Sequence, residues 1–235
     1  MFDLPAIGFS PFFEKQLQGE TVDDAIPARI AAEHRGAYEV WARAGQGFAQ
    51  LAGRLLYEQG MEAPPGVGDW VSLMAPPGPG GTSVIERVLD RRTVFTRGAA
   101  GREARDQVVA ANVDLVFVVC GLDADYNLRR IERYLARIWS GGAQPAVILN
   151  KSDIREDAAA RVSEVEARCP GVPVHAMSAL RSEGVAAIRE LIRPGLTAAS
   201  SGPPAPGSRP SSTRCWARKG WPPGRCAPAT AGDAT

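Results

Sequence analysis

The sequence predicts an all-β barrel followed by an α/β layer on a parallel sheet, with an aperiodic tail behind them. Three observations carry this. Between residues 33 and 97 short β-prone runs are separated by turn clusters such as "MEAPPGVG" and "APPGPGG". The run "VDLVFVVCG" is apolar without alternation, as in a strand covered on both faces. After it, strand-like and helix-like segments alternate three times, the pattern of a parallel sheet with crossover helices.

Taken in order, residues 1 to 32 form an N-terminal segment whose "SPFFEKQL" suits one or two helical turns. The barrel over 33–97 draws on "RIAAEHRGAYEVWA", "GFAQLAGRLLYE", "GDWVSLMA" and "SVIERVLDRRTVFTRG". An exposed Arg-bearing loop, "AAGREARDQ", opens the α/β half, which spans 98–199. In "LRRIERYLARIWSG" helical spacing puts Ile131, Tyr134, Leu135 and Ile138 on one face. "PAVILNKSD", "AARVSEVEARC", "VPVHAMSAL" and "EGVAAIRELIRPG" then read as strand, helix, strand and helix. Residues 200 to 235 have no hydrophobic period and are rich in Pro, Gly and Arg, which predicts disorder.

Composition narrows the function classes. With 45% apolar and 23% charged residues the chain suits a folded soluble protein, and a net charge of +1 gives no global pull toward polyanions. No apolar run has the length of a membrane span, and "MFDLPAIGFSPFFEKQLQGE" has no basic leader, so a cytoplasmic protein without a membrane partner is expected. Cys120, Cys169, Cys215 and Cys226 lack paired C-x-x-C spacing, so neither a disulfide nor a metal site is expected. Asp123 and Asp125 in "GLDADYN" read as a turn rather than a metal pair, and His34 and His175 as structural.

The chemistry concentrates at two strand tips, where ligands of such sheets sit. "VILNKSDI" delivers Asn150, Lys151 and Asp153, and "SAL" delivers Ser178 and Ala179 one strand later. Guanine presents its ring N1–H and exocyclic amine side by side, and one carboxylate, Asp153, can accept from both. Asn150 can position the base and brace the loops, and the stem of Lys151 can lie over the purine with its ammonium adding a cation–π attraction. The backbone N–H groups of Ser178 and Ala179 can meet the guanine O6. The plainer reading makes "NKSD" a strand-to-helix loop with Ser152 or Asp153 as helix cap.

From "EHRGAYEV" through "GDWV", "ANVDLVFVV", "DADYNLRRIERYL", "AVILNKSDI" and "VHAMSAL" to "IRPGLTAA", the chain resembles the small ribosomal subunit biogenesis GTPases of the RsgA/YjeQ family. The resemblance implies a five-stranded OB-type barrel and a circularly permuted P-loop GTPase domain, with GTP and Mg²⁺ as ligands. It also implies GTP hydrolysis to GDP and phosphate, in late maturation of the small ribosomal subunit, with that subunit and its rRNA as partners of a monomer. The family's closing zinc module is not recognisable in the sequence.

The permuted order predicts G-x-x-x-x-G-K-[ST] just after "IRPGLTAA", and the motif occurs nowhere in the chain. Two readings of the tail remain: a natural extension, or a reading frame shifted by one lost nucleotide near Ala199. In the shifted frame Pro204 to Pro210 permit G-A-G-K-S-T, and Cys215–Trp216, Trp216–Ala217 and Trp221–Pro222 are forced to Leu, Gly and Ala. The domain is then truncated, GTP hydrolysis by this chain is weak or nil, and no catalytic residue is assigned. The alternative function is an RNA-binding barrel without catalysis. Its weak RNA-binding candidates are Arg35, Tyr38, Arg92, Arg97, Arg102 and Arg105.

Overall fold

A computed structural model describes residues 1–18, 25–57, 64–78, 81–97, 107–202 and 214–217. Five strands close a barrel: β1 (Ile26–His34), β2 (Ala37–Ala42), β3 (Gly45–Leu51), β4 (Trp70–Leu73) and β5 (Thr82–Val88), in the order β1-β2-β3-β5-β4. Its strands therefore run over 26–88 rather than 33–97, and it is not wholly antiparallel, because β3 and β5 pair in parallel. Between them lies the helical turn α2 (Gly53–Tyr57), inside a stretch read as strand.

Alternation along β1 sorts its side chains. Ala28 and Ile30 point into a barrel core with Tyr38, Val40, Ala49, Val71, Leu73 and Ile85. On the outside, Trp41 and Trp70 pack with Leu89, which follows β5, and are covered by the N-terminal segment through Leu4, Ile7 and Phe13, the last from helix α1 (Pro11–Leu17). Trp70 thus packs on the outer face rather than in the barrel. The burial of Tyr38, at 8% exposure, removes it from the RNA-binding candidates, since a ring enclosed in the core cannot stack on a base.

The stretch "TVFTRG", read as the end of the barrel, leaves it. Strand β6 (Val94–Arg97) pairs instead with β7 (Gln107–Ala111) as a two-stranded ribbon beside the α/β half. The second sheet has the order β10-β9-β8-β11-β12, from β8 (Leu115–Gly121), β9 (Gln144–Asn150), β10 (Val174–Ala176), β11 (Thr197–Ser201) and β12 (Arg214–Ala217). Strands β8 to β11 pair in parallel, and β12 runs antiparallel to β11. That strand falls in the segment predicted to be disordered; the rest of that call, from 203 to 213 and 218 to 235, lies outside the described residues.

Helices α3 (Leu128–Ser140) and α4 (Ala158–Arg168) cover one face through Ile131, Leu135, Ile138 and Val165. Helix α5 (Val185–Leu191) covers the other, with Ile188 against Phe117, Ala146, Ile148 and Ala198. Tyr134 packs partly buried at the rim of the α3 face, as its spacing predicted.

Barrel and α/β half meet at one polar seam. Arg29, 1% exposed, donates to the carbonyls of Ile7, Gly68 (3.3 Å) and Asn112 (3.3 Å). Gly68 has φ +94°, and a Cβ there would collide with the Ala111 carbonyl oxygen, so glycine lets the barrel loop approach the end of β7. Asn112 donates to the Gly68 oxygen (3.1 Å) and accepts from the Arg92 N–H (2.9 Å). Replacing Arg29 by Met strips charged donors from buried carbonyls and is expected to lower the unfolding free energy by about 3 kcal/mol, with Arg29→Lys intermediate because one ammonium cannot fork between them. Urea unfolding followed by tryptophan fluorescence measures both.

Candidate functional site

The sheet order carries the first clue. The chain steps outward from β8 to β9 to β10 and then returns to place β11 on the other side of β8. Order therefore reverses between β8 and β11, and the carboxyl ends of the strands at such a switch point form the usual ligand crevice of open α/β sheets. Gly202 directly follows β11 there and lies close to the Val119 carbonyl oxygen of β8.

Three strand tips bring the predicted residues together. Parallel pairing sets Gly121 opposite Asn150, and the Leu122 N–H donates to the Asn150 carbonyl (2.8 Å). Met177 N–H donates to the Leu149 carbonyl (2.9 Å) and Ser152 N–H to that of Met177 (3.0 Å), which ties the loop after β10 to the loop after β9. The Asn150 side-chain oxygen then accepts from the N–H groups of Lys151 (2.8 Å) and Ala179 (3.0 Å). Asn150 is thus the brace between the two loops. The expected offer of free N–H groups to a base is different in the structure: Ala179 donates to Asn150, and Ser178 to the Glu183 carbonyl (3.1 Å).

The helix-cap reading of "NKSD" does not describe this loop. Residues Ser152–Ile154 form a single 3-10 turn after Lys151, whose φ of 66° is left-handed, and α4 begins only after Asp157. Asp153 instead accepts from the hydroxyl of buried Ser178, which also accepts from the Arg181 N–H (3.1 Å). That Ser178 hydrogen bond, helped by the charge of Arg181, holds the Asp153 carboxyl below the usual carboxylate range.

Lys151 pairs with Asp123, and the bond between them raises the lysine and lowers the aspartate. Sequence reasoning left Asp123 without a role. The available signal was Gly121 two residues earlier: a Cβ there would lie 2.6 Å from the Asp123 Oδ1, so glycine leaves room for the carboxylate to fold back over the strand tip. Asp125 pairs with Arg130 (2.8 Å), so each aspartate of "GLDADYN" holds a cationic side chain.

The barrel candidates divide differently. Arg35 is exposed in the β1–β2 turn, close in sequence to His34, whose ring meets half-exposed Phe48 edge-on at 5.7 Å. Arg92 is committed to the seam by its ion pair with Asp114 and lies 6.0 Å from the Phe13 ring. Arg97 ends β6, and Arg102 and Arg105 fall outside the described residues.

A closed barrel joined to a parallel sheet, with an Asn-Lys-x-Asp loop and a Ser-Ala loop side by side at the switch point, defines a class by fold: a barrel followed by an open α/β domain in which the strands carrying those loops, β9 and β10, precede the switch-point strand β11. The RsgA GTPase family profile matches residues 88–203. The chain is 44% identical over 207 residues to the small ribosomal subunit biogenesis GTPase RsgA of Opitutus terrae, covering 85% of this chain and 56% of that protein. With RsgA of Syntrophotalea carbinolica it shares 36% over 202 residues, covering 83% and 55%. The chain belongs to the RsgA GTPase family. It spans a little over half the length of these curated relatives.

Solved structures of similar fold include YjeQ from Thermotoga maritima, with a TM-score of 0.60 at 21% identity over 78% of this chain and 61% of that one. A second is YloQ, described as a circularly permuted GTPase, with a TM-score of 0.56 at 18% identity over 79% and 62%.

Removing the Ser178 hydroxyl by Ser178→Ala is expected to raise the Asp153 midpoint toward the ordinary carboxylate range, read from the carboxyl carbon by NMR. The sign follows from the depressed folded value. Ionised Asp153 favours the folded loop at pH above the unfolded value, and this is lost as pH falls through the folded one.

Proposed function

We propose that this chain carries the guanine-recognition half of a ribosome-assembly GTPase, reading the base through Asp153 with Asn150, Lys151, Ser178 and Ala179 around it. The observation that carries the reading is the Asn150 brace, which locks the two loops at the sheet's switch point and sets Ser178 beside the Asp153 carboxylate. A carboxylate held there accepts from guanine N1–H and the exocyclic amine together. Adenine offers neither donor there, and an acceptor covered by a base but left unmatched is costly. Ala179 N–H reaches a guanine O6 by exchanging its bond to Asn150 for one to the ligand.

Hydrolysis needs more than base recognition. Phosphates are held by a glycine-rich run of backbone N–H groups with one Lys, and Mg²⁺ by the Ser or Thr that follows. After β11 this chain reads "GPPAPGSRPSSTRCWARKG". Its prolines remove backbone donors, and no Lys-Ser or Lys-Thr pair is present to supply a Mg²⁺ ligand. The residues at this position do not fit the metal, and no step is derived through it. In this reading the tail is the out-of-frame remainder of a phosphate loop and the helix behind it. The chain then binds GTP and GDP through the base and hydrolyses GTP very slowly.

The names of the relatives place them in small-subunit biogenesis, and the proposal extends that partner, with its rRNA, to this chain as a cytoplasmic monomer. Among the described residues no helix is long and apolar enough to cross a membrane. A second reading, RNA binding without catalysis, draws on the barrel itself, which closes independently of the phosphate loop and exposes Arg35 and Phe48.

Two measurements separate the readings. Asp153→Asn is expected to weaken guanine nucleotide binding about 10- to 100-fold and to turn the preference toward xanthine nucleotides, followed by calorimetric titration. An unaltered guanine preference in that variant refutes the base-reading assignment. Phosphate release from GTP at saturating small subunits is expected to stay near the uncatalysed rate, and turnover of about 1 per second or more contradicts the account of the tail.

A further inference from the structure

Helix α3 presents an unexplained charge pattern. Arg129, Arg133 and Arg137 recur at i, i+4 and i+8 on the face opposite Ile131, Leu135 and Ile138, and all three are exposed. At 1.5 Å rise per residue the row is about 12 Å long. The other arginines of this region are committed: Arg130 to Asp125, Arg161 to Asp157 and Glu164, Arg168 to Glu132. Among the described residues no carboxylate pairs with Arg129, Arg133 or Arg137.

Such a row works against the helix that carries it. Like charges at i,i+4 destabilise by about 0.2–0.5 kcal/mol per pair. Arg129 adds a cation in the first turn, where the helix dipole favours anions and where α3 has no acidic residue. Folding alone would be better served by Glu or Gln at these positions. Three guanidiniums in line, each with its fork of donors free, match the successive phosphates of a nucleic-acid strand.

We infer that the outer face of α3 is a phosphate-backbone contact surface for RNA, engaged through Arg129, Arg133 and Arg137. The surface is separate from the barrel candidates and from the base-reading loops, and it carries no sequence preference because it touches only the backbone. It rests on the RNA-partner part of the proposed function and is independent of the guanine site. An anionic membrane is the competing polyanion; α3 exposes a single large apolar side chain, Trp139, while its apolar face is spent on the core, which leaves too little to bury in lipid.

The test is fluorescence anisotropy of a labelled RNA hairpin with the full chain between 50 and 200 mM salt. The unaltered chain is compared with R129Q/R133Q/R137Q and with R189Q/R193Q, a control that removes exposed charge from α5 and the residues after it. Each lost phosphate contact lowers the log–log salt slope by about one, so the triple variant is expected to show a slope shallower by about two to three, the control little change. Thermal unfolding of the triple variant is expected at or above that of the unaltered chain, because the self-repulsion is gone. An equal slope in triple variant and unaltered chain overturns the inference and leaves RNA binding by the barrel standing. An equal loss in the control overturns it too, as does loss of binding to vesicles with 30 mol% anionic phospholipid while the RNA slope is kept. Failure of the unaltered chain to bind RNA overturns both this surface and the RNA partner, while nucleotide titration judges the guanine site separately.

Discussion

One buried guanidinium holds the two halves of this protein in register. Arg29 sits on the outward side of β1, where alternation turns it away from the barrel core, and its donors reach the N-terminal turn, the barrel loop and the segment entering β8. Three carbonyls from three segments are satisfied by one side chain that cannot lose its proton. From Asn112 the hydrogen bonds continue through Arg92 to Asp114, whose carboxylate accepts from the Thr197 N–H (2.7 Å) at the start of β11. A continuous polar path therefore joins the barrel to the strand nearest the switch point.

That path and its surroundings explain why several conspicuous arginines are tied to structural partners. Arg29 and Arg92 belong to the seam, and Arg91 forks onto fully buried Asp69 with bonds of 2.8 and 2.7 Å. Arginine suits these places because its planar fork spans several acceptors at once. The result is a sorting of arginines into structural ones along the seam and unpaired ones on the outer face of α3, which a count of charges does not reveal.

At the tips of β8, β9 and β10 the groups are paired with one another: Asn150 with Ala179, Ser178 with Asp153, Lys151 with Asp123. Each pair keeps a polar or charged group oriented at modest cost, since the tips are partly solvated. A ligand entering here exchanges partners of equal kind rather than desolvating bare charges. Pre-orientation of this sort favours discrimination between bases over raw affinity.

The sequence by itself determined β8, β9, β10 and the three helices of the α/β half, but not β7, β11 or β12. Strands β8 and β9 are largely buried and read as nearly unbroken apolar runs, and α3 shows a 3.6-residue period, so the signals are local. It also determined the Asn150 to Asp153 and Ser178–Ala179 loops, because strand tips follow directly from strand ends. Only the tertiary structure decided the barrel's limits, the departure of β6 into a ribbon with β7, and the burial of Tyr38. It alone decided the partnership of Asp123 with Lys151, 28 residues apart. The reason is physical. Barrel closure, the seam at Arg29 and the ion pairs depend on contacts between distant segments, and hydrophobic periodicity records which way a residue faces but not what it meets there.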